Sequence, residues 1–236
     1  MWPSKSLWTL ALSSACALGA QANDTHTNAA PAWTSASWQQ ALRTMPKGDV
    51  ARGQALHQSQ FCASCHGAQG VAPTHNWPHV AGQSAAYTYK LMLDYQAGRM
   101  GKGQHAGLMQ DAAQALSPQD MADVAAYYAS LPAPAEGLTQ RPQANPVLAT
   151  QLVKKGDTAR LITPCASCHG TAGQGGQKGA PALAGQNPRY FVQTMLAYQS
   201  GARQNDPDHG MRQFAQPLNR AEIEALAAYY ADMAPK

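Results

Sequence analysis

The chain carries one pentapeptide twice: Cys62-Ala63-Ser64-Cys65-His66 and Cys165-Ala166-Ser167-Cys168-His169. Two thiols one helical turn apart point the same way. They can add to the two vinyl groups of one porphyrin, and the His that follows then lies under the iron as its proximal ligand. Two copies mean two covalently attached haem c groups. Cys62, Cys65, Cys165 and Cys168 are the expected thioether sites, and His66 and His169 the expected iron ligands. Other uses of Cys-x-x-Cys explain less. A thioredoxin-type pair sits near a βαβ pattern, and none is visible. A four-cysteine zinc site uses pair spacings far shorter than the 103 residues found here. Neither accounts for the His after both pairs.

A His-ligated haem also needs a sixth-position assignment. A Met thioether makes a carrier of raised potential, whereas an open position makes an enzyme or gas binder. Met109 and Met211 are the candidates: they lie 43 and 42 residues after His66 and His169. Each stands eight residues before a helix cap, Ser117 or Asn219, which places it on the loop entering the last helix of its half. Met100 has no Met partner in the second half. His105 and His209 are bis-His rivals that do not align with each other. Met92, Met121, Met195 and Met233 lie in helical patterns and read as core filler. His57, His75 and His79 read as surface or haem-crevice residues. Pro78 and Pro181 each follow the proximal His by twelve residues. A metal-bound His needs its other ring nitrogen held, often by a backbone carbonyl. These prolines are a source of one, unless they only shape the turn.

The elements that must position these residues form an internal repeat. Cys62, Gly82 and Tyr95 recur at an offset of 103; Met109 and Tyr127-Tyr128 recur at 102. Ser84–Gly98 and Asn187–Gly201 read as equivalent helices ending at Gly. Ser117-Pro118-Gln119-Asp120 and Asn219-Arg220-Ala221-Glu222 read as helix starts. Only two isoleucines occur and nothing alternates with period two, so the expected fold is all-α. The boundaries expected are a signal peptide at 1–22, an arm at 23–47, a first domain at 48–133, a linker at 134–150 and a second domain at 151–236. The Pro-rich stretch from Pro132 to Pro146 suits an extended linker. Trp33, Trp38 and Leu42 suggest that part of the arm packs. The Gly-rich stretch Gly170–Gly179 lacks the Gly-Lys-Ser/Thr of a phosphate loop and no strand precedes it, so it reads as a haem-flanking loop.

Composition agrees with a cofactor-dependent core. Leu, Ile, Val and Phe make up 31 of 236 residues. That is below the ~20% at which an ordinary core becomes doubtful. Charged residues are few, at 13%. Disorder is therefore not the explanation, and two buried porphyrins supply the missing apolar volume. Lys5, the apolar run Leu7–Ala20 and Ala20-Gln21-Ala22 read as an export signal cleaved near Ala22. That places the chain in the periplasm. Cys16 leaves with the signal, and no thiol remains for a disulfide. Net charge is +4, with the excess in the second half. The basic residues are dispersed, which argues against nucleic-acid binding. The excess suits an acidic partner at one docking face, with a rate that falls as salt rises.

With these residues in hand the chain resembles the dihaem cytochrome c4 family over roughly residues 48–236. The likeness rests on the duplicated Cys-Ala-Ser-Cys-His-Gly, the duplicated (Val/Leu)-Ala-Gly-Gln, the Tyr-Gln-(Ala/Ser)-Gly helix end, the Met and the Ala-Ala-Tyr-Tyr helix. The resemblance implies two tandem class I cytochrome c domains packed about a pseudo-twofold axis. It implies His66/Met109 and His169/Met211 ligation, with Pro78 and Pro181 as carbonyl donors to the proximal His. It also implies periplasmic electron transfer between redox proteins, from a donor such as a quinol-oxidising complex toward an acceptor such as a terminal oxidase. The expectation is thus an electron carrier rather than an enzyme. Two alternatives stand: a haem subunit of a membrane-bound dehydrogenase or oxidase complex, peripheral to the membrane, and a dihaem peroxidase. The arm departs from the usual short start of the family and is a candidate partner-docking element.

Overall fold

The computed structural model describes residues 1, 30–101, 103–134, 145–176 and 179–233. The expected signal segment and its cleavage site, the arm before residue 30 and linker residues 135–144 lie outside the described residues. Eleven α-helices follow one another among the described residues: α1 Ser35–Thr44, α2 Val50–Ser59, α3 Ala63–His66, α4 Ala85–Gln96, α5 Gln104–Gln114, α6 Pro118–Ser130, α7 Pro146–Lys154, α8 Ala166–His169, α9 Pro188–Gln199, α10 Gly210–Ala215 and α11 Arg220–Ala231. Two short 3-10 turns, Thr158–Arg160 and Pro207–His209, complete the order. The described residues form no β-strand; one isolated bridge joins Asp157 and Ile162.

Local signals explain the helix starts. Ser117 caps α6 and Asn219 caps α11, each in a capping box closed by the acid three residues on. Ser84 and Asn187 cap the equivalent helices α4 and α9. The linker expected at 134–150 is shorter on its C-terminal side. Asn145 accepts from Val147 and Leu148 N–H, and Pro146 occupies the first helical position, so residues 146–150 belong to α7.

Each half builds a small core around its last helix. In the first half α6 packs on α2 and α4 through Tyr89, Met92, Met121, Val124, Tyr127 and Tyr128. In the second, α11 packs on α7 and α9 through Leu152, Val153, Phe191, Met195, Ile223, Leu226 and Tyr230. Met92, Met121 and Met195 are buried as expected of filler, and Met233 packs against the second core. Gly53 permits the α2–α6 crossing: a Cβ there would lie 2.0 Å from Asp123 O.

His57 corrects the surface or crevice reading. It is 1% exposed, its Nδ1 lies 2.9 Å from the Tyr128 hydroxyl and its Nε2 lies 3.1 Å from Gly67 O. It therefore ties α2, α6 and the residue after the first Cys-x-x-Cys-His.

The arm from residue 30 is folded across both halves. Ala30 N–H donates to Ala97 O, and Arg99 Nε donates to Pro31 O, both in the first half. Asp208 N–H of the second half donates to Trp33 O at 2.9 Å, and Ser35 donates to the Asp208 carboxylate from N–H and hydroxyl. Trp38 is buried on α1.

Candidate functional site

Each Cys-x-x-Cys-His forms a single helical turn. His66 N–H donates to Cys62 O and His169 N–H to Cys165 O, both at 3.0 Å. The Ser between the cysteines stitches the turn to the residue before it: Ser64 Oγ donates to Phe61 O and Ser167 Oγ to Pro164 O, both at 2.6 Å. Cys62, Cys65 and Cys165 are half-buried and Cys168 is exposed, and none of the four is in a disulfide. Burial pushes the Cys62 thiol up and the Cys165 thiol up to about 11.

Both imidazoles point into the interior. His66 and His169 are 6% and 7% exposed. Their Nδ1 atoms lie 3.0 Å from Pro78 O and 2.9 Å from Pro181 O. The prolines thus provide the carbonyls, beyond shaping a turn. Burial holds both rings below the usual His range, against the pull of those carbonyls. That keeps them neutral, the form that binds a metal, with Nε2 free for it.

One cavity is lined by both motifs. Cys62, Cys65 and His66 share it with Cys165, Cys168 and His169. Met109 and Met211 line it too, as do Met100 and His105. The structure therefore brings the first-half candidates Met109, Met100 and His105 together and leaves only Met211 of the second-half pair at the cavity wall. His209 is exposed on its 3-10 turn. His105 is exposed at the surface side and its ring lies tilted against Trp77, with centroids 4.7 Å apart. Met109 lies within α5 and Met211 within α10, not on loops. No Gly or Pro follows either Met within five residues, so nothing in the sequence stops a helix there.

The wall is apolar with a polar strip where the halves meet. Tyr87, Tyr95, Tyr190 and Tyr198 line it, and burial raises the first, second and fourth of these hydroxyls, Tyr198 up to about 12. Between them lies Arg203, 3% exposed. Its partners are neutral: Asn205 Oδ1 at 2.9 Å, Tyr87 OH at 3.2 Å, Thr194 Oγ1 at 3.4 Å and Tyr190 OH at 3.5 Å. A buried cation without a carboxylate is costly. His79 Nδ1 accepts from Ala72 N–H, which leaves Nε2 as a buried donor with no partner, beside the same cavity. Burial, then His66 and His75, push its pKa down to about 4. An apolar pocket with an uncompensated cation and a spare donor fits a flat apolar group that carries carboxylates. Behind Arg203, Lys90 Nζ donates to Asp94 and to Asn205 O, and Asn205 Nδ2 donates to Asp94 at 2.8 Å, so the strip is bonded across the halves.

Arg203 has no counterpart in the repeat, since Met100 stands at its offset, and no local pattern marks it. Gln83 and Gln186 are visible in the sequence only as part of a motif. Each bonds the backbone of the opposite half.

Two helical halves, each with a Cys-x-x-Cys-His turn, a carbonyl-held His and a Met on one cavity, define a tandem c-type cytochrome. The family model described as cytochrome c matches twice, over residues 50–132 and 153–233. A cytochrome c4 of Pseudomonas aeruginosa is 35% identical over 77% of this chain and 87% of its own. A thiosulfate dehydrogenase electron acceptor of Stutzerimonas stutzeri is 34% identical over 78% of this chain and 84% of its own. The reduced cytochrome c4 of Pseudomonas stutzeri superposes with TM-score 0.68 at 31% identity, over 79% of this chain and 99% of that one. The chain belongs to the cytochrome c4 family, and it is a dihaem electron-transfer cytochrome with two covalently bound c-type haems.

Proposed function

We propose that the chain is an exported, periplasmic electron carrier between respiratory partners, running toward a terminal oxidase, and not an enzyme. The observation that carries this is the shared cavity, walled by a His and a Met from each half. Each bound haem supplies a one-electron couple at its iron. His66 and Met109 hold the first iron, His169 and Met211 the second, with thioethers at Cys62, Cys65, Cys165 and Cys168. Pro78 and Pro181 orient the two rings. Arg203 would offset the carboxylate charge of a bound porphyrin, and the four tyrosines beside it would keep water from the strip where the halves meet. The signal peptide ends near Ala22, and the two cytochrome domains are tied by the segment around 134–145.

The test is to mix reduced holoprotein with carbon monoxide and oxidised holoprotein with peroxide. A carrier with both iron positions filled binds little of the first and turns over none of the second. Stoichiometric carbon monoxide binding or sustained peroxide turnover overturns the reading in favour of a dihaem peroxidase.

A second reading has one specific support. A thiosulfate dehydrogenase from Marichromatium purpuratum superposes with TM-score 0.70 at 30% identity, covering 79% of this chain and 40% of that one. A cytochrome of this shape can therefore be part of a larger polypeptide. Under that reading the chain is the haem subunit of a dehydrogenase complex, and it co-purifies with a catalytic partner at fixed stoichiometry.

A further inference from the structure

The duplicated Ala-Gly-Gln segment makes a reciprocal contact. Gln83 Oε1 accepts from Ala182 N–H at 2.9 Å, and Gln83 Nε2 donates to Ala182 O at 3.1 Å. Gln186 treats His79 the same way, with both distances 2.9 Å. His79 and Ala182 are repeat equivalents, as are Gln83 and Gln186, so the contact is self-complementary between the halves.

The amide each glutamine grips is the one that holds the opposite proximal ring. Pro78 C=O and His79 N–H are two ends of one peptide unit. Its oxygen receives His66 Nδ1–H, and its N–H donates to Gln186. The Pro181–Ala182 unit joins His169 to Gln83 in the same way. An amide whose N–H is bonded has a more polarised carbonyl, which is a stronger acceptor. A stronger acceptor on the ring N–H raises the basicity of the nitrogen that faces the metal.

We propose that Gln83 and Gln186 are cross-domain positioning residues, each tuning the iron ligand of the other domain: Gln83 acts on His169, and Gln186 on His66. This deepens the carrier reading and rests on its assignment of His66 and His169 as iron ligands. The electron affinity of each haem then depends on the seating of the opposite domain. Each glutamine also has a local duty. Gln83 Oε1 accepts from Ser84 N–H, and Gln186 Oε1 from Asn187 N–H, at the start of its own helix. A purely local role would change only the domain that carries the substitution.

The experiment compares Gln83→Leu and Gln186→Leu holoproteins. It reads the midpoint potential of each haem and the hyperfine-shifted ring-proton resonances of His66 and His169. Gln83→Leu is expected to move the His169 resonances and raise the potential of the second haem, changing its reduction equilibrium about two- to fivefold, with the first haem in place. Gln186→Leu gives the mirror result. Gln83→Asn keeps a polar amide yet cannot reach Ala182; it gives the same crossed shift and decides the matter if the leucine variants load haem poorly. A shift in the substituted domain alone, equal shifts in both haems, or no shift in either overturns the proposal. If the native protein shows no hyperfine-shifted resonances from His66 and His169, the ligand assignment itself falls. If they are present and unmoved by Gln83→Leu, only the glutamine proposal falls.

Discussion

Replacing His57 by leucine tests how the first haem-binding turn is anchored. The ring makes two buried contacts, to Tyr128 OH and Gly67 O, and packs against Tyr127 and Tyr128 with centroids 5.4 Å away in each case. A buried hydrogen bond contributes about 1 kcal/mol net, and each polar group left unpaired costs about 1–3 kcal/mol. The ring pairs add about 0.5–1.5 kcal/mol. Leucine restores part of the apolar volume, so the loss should be about 3–5 kcal/mol. Tyr128→Phe should cost about 2 kcal/mol, and the double variant less than the sum by about 1–2 kcal/mol, because the two groups share one bond. Burial lowers the His57 pKa, against the Gly67 carbonyl that favours its proton. The unfolded chain therefore binds more protons at this site. The contribution of His57 is full above the ordinary His value of about 6.5 and fades as pH falls through the depressed folded value. The gap between native protein and His57→Leu should narrow on acidification. Denaturant unfolding of the holoprotein, followed by Soret and far-ultraviolet circular dichroism between neutral and mildly acid pH, reads all of this. A loss under about 1 kcal/mol, less than one net buried hydrogen bond, refutes the reasoning, as does a gap that does not change with pH.

Met109→Ala and Met211→Ala should each abolish the iron–sulfur charge-transfer band of one haem, while Met100→Ala leaves both; absorption spectra of the oxidised proteins check this. Glu222→Gln should destabilise the second domain by about 2 kcal/mol, the size of a lost charge-assisted hydrogen bond. The Glu222 carboxylate receives both Arg160 terminal nitrogens, at 3.0 and 2.7 Å, and closes the α11 capping box. Arg160 holds the Glu222 pKa below its usual range. This stabilisation is therefore present above the ordinary carboxylate range and lost as pH falls through the depressed value; calorimetry across that range shows the native and variant transitions converging. Trp38→Ala should cost about 3–5 kcal/mol and lower the cooperativity between the two domains, read as a split in the thermal transition.

The parts of the molecule legible in the sequence are those that repeat or act locally. The two Cys-x-x-Cys-His turns, the α4 and α9 pair and the caps at Ser117 and Asn219 each need only a few neighbouring residues, and all stand where the spacing puts them. The linker end is ambiguous for a local reason: Asn145-Pro146 is both a helix start and a linker signature, and the capping bonds of Asn145 decide for the helix. Met109 and Met211 sit on helices rather than on the expected loops because no Gly or Pro within five residues after either Met ends α5 or α10 there. A buried His is recognisable only with its partners, and Tyr128 lies 71 residues from His57. Arg203, Gln83 and Gln186 act between the halves, across 99 to 116 residues, where periodicity carries no information.

The sequence suggests the arm as a docking element for a partner, but its contacts assign its aromatic residues elsewhere. Trp33 Nε1 donates to Asp94, the same carboxylate that takes Lys90 and Asn205. Arg99 lies over the Trp33 ring at 4.3 Å, and Lys90 lies 5.8 Å from the rings of both Trp33 and Trp38. Gly179 has φ +80 and lies against Trp38, where a Cβ would stand 3.0 Å from the indole. The arm thus covers a buried charged seam whose groups would otherwise be wetted. A charge pair such as Lys90–Asp94 interacts more strongly out of water, but only if every polar atom is bonded. The seam meets that condition by using both halves and the arm at once. Behind it stands Arg203, at the cavity. Removing the arm should therefore first admit water to the Lys90–Asp94 pair beside Arg203, whatever it does to an outside partner.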